Sequence, residues 1–267
     1  MTTDVPERET WSPFARYRHT LFLLTSRDLK VRYSTSALGY FWSILDPLVM
    51  AGIYFFIFTV VFQREDIGAD PYIVFLLTGL LPWMWFNGAV SDSTRAFLRG
   101  AKLIRSTKIP RTIWVSSLVL SKGTEYIASL PVLAVFVIFS HGAVLHWEAV
   151  FFLLGIVLQA VLTIGIGLIV APLVVFFRDL ERAVKLILRF LFYASPMIYG
   201  ITDLPAQLHF WAAFNPLSGI FSLYRAAFFP GELDWFIVSV GAAMSVAFLG
   251  IGLLVFSRTE RAVLKEI

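Results

Sequence analysis

Six long apolar stretches, at residues 41–62, 72–90, 113–139, 149–177, 183–199 and 235–256, constrain this chain more than any other feature. A helix of about 20 apolar residues matches a hydrocarbon layer about 30 Å thick. In lipid such a helix satisfies its own backbone hydrogen bonds, which an irregular chain cannot do. With 58% apolar and 15% charged residues, one globular core of 267 residues cannot hide so much apolar surface. The expected fold class is therefore an all-α membrane protein with six transmembrane helices. The fifth stretch is the shortest and carries Lys185 and Arg189 in its opening turns, where long basic side chains snorkel to headgroups.

The basic residues order these spans. Nineteen of the 22 lysines and arginines fall before the first stretch, between the second and third, between the fourth and fifth or in the opening turns of the fifth (Lys185 and Arg189), or after the sixth. The alternate connections hold only Arg64 and Arg225, and Lys122 lies inside the third stretch. By the positive-inside rule both termini are expected in the cytoplasm. The first 38 residues show no short apolar run with a small-residue cleavage site, so no signal peptide is expected.

Three units follow. Residues 1–13 are a polar tail, 14–36 an amphipathic cytoplasmic interface helix, and 37–267 the six-helix domain. In the second unit Leu21, Leu24, Leu29 and Val31 interleave with Arg16, Arg18, Arg27, Lys30 and Arg32. That pattern suits a helix lying on a membrane surface, although a solvated helix on a soluble protein shows it too. The long connection 200–234 is apolar, with Leu217, Ile220, Phe221, Tyr224 and Phe228 at helical spacing after Asn215-Pro216, and Leu204, Leu208 and Trp211 before it. A structureless loop of that length is unusual. Two short external re-entrant helices are expected, with a purely interfacial pair as the alternative.

Catalytic machinery is hard to find. No Gly-x-x-x-x-Gly-Lys-Ser/Thr occurs, and the pairs Gly165/Gly167 and Gly250/Gly252 sit inside apolar spans, where close helix packing explains them better than phosphate binding. The absence of cysteine removes thiolate chemistry, and the four histidines have no partner at ligand spacing, so no metal and no catalytic residue is expected. Asp46 opens the first span, and Lys122 and Glu125, one turn apart on the third, could pair, most simply for structure.

Aromatic side chains stand out instead. Tyr54, Phe58 and Phe62 follow one helical face of the first span; the second holds Trp83, Trp85 and Phe86; the fifth holds Phe192 and Tyr199. If the second helix enters from outside near Tyr72, the group 83–86 lies about 17–21 Å deep, below the usual aromatic belt. Flat rings with polar edges suit a substrate of alternating C–H faces and hydroxyls, such as a sugar chain. Lipid-facing packing is the competing explanation. On the first reading Tyr54, Phe58, Trp83, Trp85, Phe86, Phe192 and Tyr199 line a channel.

Several local motifs then fall in order: Arg27-Asp28-Leu29-Lys30-Val31-Arg32-Tyr33, Leu38-Gly39-Tyr40-Phe41-Trp42-Ser43-Ile44-Leu45-Asp46-Pro47-Leu48, Gly79-Leu80-Leu81-Pro82-Trp83, Lys108-Ile109-Pro110-Arg111, Phe177-Arg178-Asp179-Leu180, Ala194-Ser195-Pro196-Met197-Ile198-Tyr199, and Asn215-Pro216. Together they resemble the membrane subunit of ABC-2 type polysaccharide exporters, which serve O-antigen, capsule, teichoic acid and galactan export. The resemblance implies a permease that pairs with a second copy of itself and docks two separate ABC ATPase subunits. ATP and Mg would be bound by that partner, with no cofactor in this chain and no nucleic acid involved. The cargo it implies is a glycan on a polyprenyl-pyrophosphate lipid, galactan being the first expectation.

The resemblance also assigns roles to residues. Arg27, Lys30 and Arg32 would meet the lipid pyrophosphate, an anion suited to charge-assisted hydrogen bonds. Arg99, Lys102, Arg105, Lys108 and Arg111 would belong to a first ATPase-coupling helix, and Arg178, Asp179 and Arg182 to a second. Asn215, Pro216, Phe221 and Tyr224 would belong to an external gate. An exporter of small lipophilic molecules shares this fold and remains an alternative. A membrane glycosyltransferase acting on polyprenyl lipids is a further one, although the loops show no organised set of carboxylates.

Overall fold

The computed structural model describes residues 12–34, 39–61, 68–106, 109–140 and 143–266. Lys108, Phe62 and most of the segment 1–13 lie outside them, as do the last positions of the expected interface helix. Ten α-helices and no strand occur among the described residues. In chain order they are α1 (Pro13–Tyr33), α2 (Trp42–Phe55), α3 (Tyr72–Ser93), α4 (Ala96–Ser106), α5 (Thr112–Phe139), α6 (Val150–Phe176), α7 (Leu180–Ala194), α8 (Ala206–Ala213), α9 (Pro216–Ala226) and α10 (Trp235–Glu266). Helix α2 continues as a wider π-helical turn over Phe56–Val61.

Five helical segments are long and apolar enough to cross a membrane: Trp42–Val61, Tyr72–Ser93, Thr112–Phe139, Trp147–Phe176 and Trp235–Glu266. The fifth apolar stretch behaves differently. It is helical only over Leu180–Ala194, about 22 Å at 1.5 Å per residue, short of a full span. Its backbone then unwinds at Ser195-Pro196, as expected where a proline disfavours helix at the preceding residue. A sixth continuous spanning helix is therefore not what this stretch forms.

The helix α3 lies at the centre. It is buried from Val74 to Trp83 and again at Trp85, Phe86, Ala89 and Val90, packed on α5, α6, α2 and α9. Gln159 of α6 closes this core: its Nε2 donates to the Pro82 carbonyl at 2.7 Å, and its Oε1 accepts from the Tyr224 hydroxyl at 2.9 Å. Helices α6 and α10 make the most extensive pairing. Gly165 permits it, since a Cβ there would stand 2.5 Å from the Leu249 amide nitrogen.

Long-range polar contacts sort the elements to two ends. At one, Arg32 of α1 meets Asp92 of α3, Arg95 meets Glu181 of α7, and Arg111 meets Glu260 of α10. All four basic segments of the sequence thus gather at this basic end. At the far end the Gly68 amide donates to Asp203, the Tyr72 hydroxyl to the Ile198 carbonyl, and the His146 amide to the Ala227 carbonyl. Helix α7 with its unwound extension therefore runs from the basic end to the level of Tyr72, despite its short helical length.

Helix α10 extends ten residues past its apolar stretch because Phe256 and Val263 bury themselves beside Leu24 of α1. Helix α1 in turn lies lengthwise on α5, burying Leu24 and Thr25, while Phe14, Phe22, Leu23 and Val31 remain exposed. Val31, seven residues after Leu24 and so on nearly the same side of the helix, is left uncovered. Apolar residues occur on two sides of this helix, one sealed by the protein.

The long apolar connection does form two short helices, α8 and α9. Asn215 starts α9: its Oδ1 accepts from the Leu217 amide at 3.1 Å, the usual N-cap contact, ahead of Pro216 at the first helical position. Helix α9 is buried from Leu217 to Ala226 against α10, α6 and α3. It begins beside Gly241, two turns inside α10, and its following residue Ala227 reaches His146 at the far end.

Candidate functional site

The expected channel aromatics divide into two sets. Trp83 and Phe86 of α3, Phe192 of α7 and Tyr54 and Phe58 of α2 form one continuous row. Ring centroids are 5.8 Å apart for Trp83–Phe86, 5.5 Å for Trp83–Phe192, 5.7 Å for Phe192–Tyr54 and 6.5 Å for Tyr54–Phe58. Tyr72 and Phe75 prolong the row toward the far end at 6.3 Å steps. The α2 and α7 members are only half-buried, beside the exposed ring of Tyr193. The row thus borders an open flank of the single chain.

Trp85 belongs elsewhere. One residue pair further along α3, it points toward α5, stacks on Tyr126 at 5.3 Å and donates Nε1 to the Val119 carbonyl at 2.9 Å. Tyr126 meets Tyr224 of α9, which meets Phe152 of α6 at 4.7 Å. Every ring nearest Trp85 is thus a core contact. Tyr199 also stands apart from the row, its hydroxyl donating to the Tyr193 carbonyl at 3.1 Å.

At the basic end Arg32 of the expected triad belongs to a charged cluster. Arg32 donates Nη2 to Asp92 at 2.7 Å and Nη1 to Glu125 at 2.8 Å. Lys122 donates to the other Glu125 oxygen at 2.7 Å, the pairing its spacing implied, and Arg99 stands 3.6 Å from Asp92. Burial acts to lower Arg32, but Glu125 and Asp92 outweigh it and hold the guanidinium above its ordinary value. Burial also raises the Asp28 carboxyl, against the pull of Arg27. Two of the five N–H donors of Arg32 are thereby engaged, and its charge is balanced within the protein.

Two cavities flank Arg32. One, about 360 Å³, is lined by Arg27, Asp28, Arg32, Asp92 and Arg99, with Trp114 and Leu118 as its apolar wall. The other, about 320 Å³, is lined by Arg32, Lys122, Glu125 and Asp46 together with Trp42, Trp85 and Tyr126. Of the expected triad, Arg27 and Arg32 share a cavity, and Arg99 joins them from α4. Lys30 is exposed and lines neither.

The first expected coupling region does contain a helix, α4. It buries Ala96, Phe97 and Ile104 and leaves Leu98, Arg99 and Leu103 exposed. Only the backbone of Lys102 and Arg105 is described. Arg111 is engaged with Glu260 at 2.7 Å. The second region forms no separate helix: Arg178 and Asp179 make an exposed turn, and Arg182 lies on the exposed first turn of α7. Glu181 beside them is clamped by Arg95 and Lys185, whose hydrogen bonds hold its carboxyl down at about 2.

Among the expected gate residues, Asn215 also donates Nδ2 to Ser195 Oγ at 2.8 Å, joining α9 to the unwound end of α7. Phe221 and Tyr224 are fully buried in the core. The residue that sequence reasoning passed over is Arg225. It is 2% exposed, donates to the Met197 carbonyl at 2.8 Å and covers the Phe75 ring at 3.7 Å. A lone arginine within a 35-residue apolar connection is the signal in the sequence that points to it.

Comparison with known proteins accounts for this arrangement. Residues 19–229 match the sequence profile of the family described as ABC-2 type transporter. The O-antigen export system permease protein RfbA of Klebsiella pneumoniae is 35% identical over 242 residues, covering 90% of this chain and 92% of that protein. Its namesake in Myxococcus xanthus is 31% identical over 249 residues, 92% of this chain and 94% of that one. The polysialic acid transport protein KpsM of Escherichia coli is 26% identical over 261 residues, 95% and 98%. The family match takes in most of α1 and all of α2 to α9, the aromatic row included, and with it this multi-pass, all-helical chain belongs to the ABC-2 type transporter family.

Proposed function

We propose that the chain is the permease subunit of an ATP-driven exporter that moves a lipid-linked surface polysaccharide out of the cytoplasm of a bacterial cell. The observation that carries this reading is near full-length similarity to permeases named for O-antigen and polysialic acid transport. The basic end is the cytoplasmic one, holding both termini, and six crossings result when α7 and its unwound extension are counted. The pair α8–α9 dips into the outer half of the bilayer as an external gate.

No nucleotide-binding motif occurs in the sequence, so energy comes from a separate ABC ATPase, present in two copies with its own ATP and Mg. It docks on α4 and on the turn Arg178–Arg182. A second copy of the chain covers the open flank of α2 and α7, converting the aromatic row, whose α2 and α7 members are half-buried, into a channel wall. The cargo is a glycan on a polyprenyl pyrophosphate, galactan being one candidate. Arg27 and Arg99 meet its anionic head in the cavity beside Arg32, while Arg32 itself holds α1 in place. ATP shifts the open and closed populations only as far as the ATPase binds it differently in the two states.

Depletion of the chain in its host tests the reading. Lipid-linked polymer accumulating in the cytoplasm is the expected result, and surface glycan at normal levels overturns it.

A further inference from the structure

The guanidinium of Arg225 sits where the backbone most needs a donor. Helix α7 stops at Ala194, and the carbonyls that follow it are free of helical partners. Away from water such groups must be satisfied by other atoms. Arg225 of α9 supplies Nη2 to the Met197 carbonyl at 2.8 Å and Nη1 to the Tyr199 carbonyl at 3.3 Å. The carbonyl between them, of Ile198, accepts from the Tyr72 hydroxyl at 3.1 Å. Three successive carbonyls are thus held by two side chains. The face of the guanidinium lies on Phe75, and Glu232 stands 4.0 Å away to balance its charge. A planar fork of donors meets this geometry in a way that a single ammonium cannot.

From this arrangement we propose that Arg225 is a positioning residue that makes the outer hairpin α8–α9 move with the unwound end of α7 during transport. The proposal rests on the reading of the chain as an exporter permease. At the other end of the same helix, Glu181 is tied to Arg95 between α3 and α4. Helix α7 therefore connects the region that meets the ATPase with the hairpin at the far end, where Arg225 holds it together with the Asn215–Ser195 hydrogen bond.

The chain contains no cysteine, so one introduced thiol reports alone. Ser218 is suitable: it is buried, its hydroxyl has no hydrogen-bond partner among the described residues, and it lines a cavity of about 130 Å³ together with Arg225. In the Ser218→Cys permease, assembled with its ATPase in whole cells, a membrane-impermeant maleimide is applied from outside. Labelling is expected to be slow with Arg225 present and about tenfold faster in Arg225→Gln, which removes the charge-assisted donors. Arg225→Lys is expected between the two, since lysine reaches one carbonyl and not both.

ATP hydrolysis in Arg225→Gln should continue while export falls, an uncoupling that a general folding defect does not produce. Equal labelling rates in all three backgrounds, at equal membrane levels, overturn the proposal. Should the glutamine variant fail to insert, the lysine variant decides: a rate equal to the parent's overturns it. Labelling does not depend on the cargo. Normal surface glycan after depletion would therefore refute the exporter reading and leave this result standing.

Discussion

Arg32 and Glu125, 93 positions apart in sequence, meet at 2.8 Å and fasten the end of α1 to the middle of α5. Both are partly buried, and the same arginine also holds Asp92. Removing one member of such a cluster strands charge that has lost its partner. Arg32→Gln should therefore lower stability in detergent by about 1–3 kcal/mol. A double-mutant cycle with Glu125→Gln should show coupling above about 0.5 kcal/mol. The exposed Lys30→Gln should leave the melting temperature unchanged. Additive effects of the two substitutions would mean that the contact contributes nothing.

The aromatic row offers a contrast between neighbours. Trp83→Ala and Phe86→Ala also empty buried sites, but as members of the proposed channel wall they should slow export, at equal membrane levels, while ATPase association persists. Trp85→Ala removes a buried ring stacked on Tyr126 together with its hydrogen bond to Val119, and should cost about 3–5 kcal/mol of stability. Unaltered export in the first pair would reduce those rings to packing.

Glycines on α6 and α10 separate close approach from mere composition. A methyl on Gly165 would press on the backbone at Phe248 and Leu249, so Gly165→Ala should destabilise by about 1–3 kcal/mol. Nothing lies within 4 Å of a Cβ built on Gly250. Gly250→Ala should be neutral or should stabilise by up to about 1 kcal/mol through helix propensity. Thermal unfolding of the two variants checks the difference, and equal effects would remove the packing argument.

Acid should loosen α7 from the α3–α4 turn in a defined window. Hydrogen bonds from Arg95 and Lys185 hold Glu181 at about 2, against 4.5 for a free glutamate. A carboxyl depressed in the folded state contributes stability above its unfolded value and loses it as pH falls toward the folded one. The stability difference between the parent and Glu181→Gln should be constant above about pH 4.5 and shrink below it. Arg95 and Lys185 are exposed and Glu181 is only half-buried, so the difference is small and weaker at high salt. A difference that grew on acidification would contradict this assignment.

The sequence by itself determined the class of molecule. Apolar length demands a bilayer, and the segregation of basic residues gathers four separate segments at one end, as the pairs Arg95–Glu181 and Arg111–Glu260 bear out. Both signals are sums over many residues and survive local exceptions. Helices α8 and α9 were legible for the same reason, because helical spacing and an Asn-Pro start are local properties.

Tertiary structure decided what individual side chains meet. Nothing in the order Trp83, Trp85, Phe86 says that the first and last face α2 and α7 while the middle one faces α5. That follows from the 100° turn per helical residue only once the neighbours are placed. Likewise Arg32 reads as a free cation until Asp92 and Glu125 arrive from 60 and 93 residues away. The unwound end of α7 and the arginine that serves it complete the pattern. A broken helix leaves carbonyls that some donor must satisfy, but only the folded chain determines that the donor is Arg225, and therefore which helices must move together.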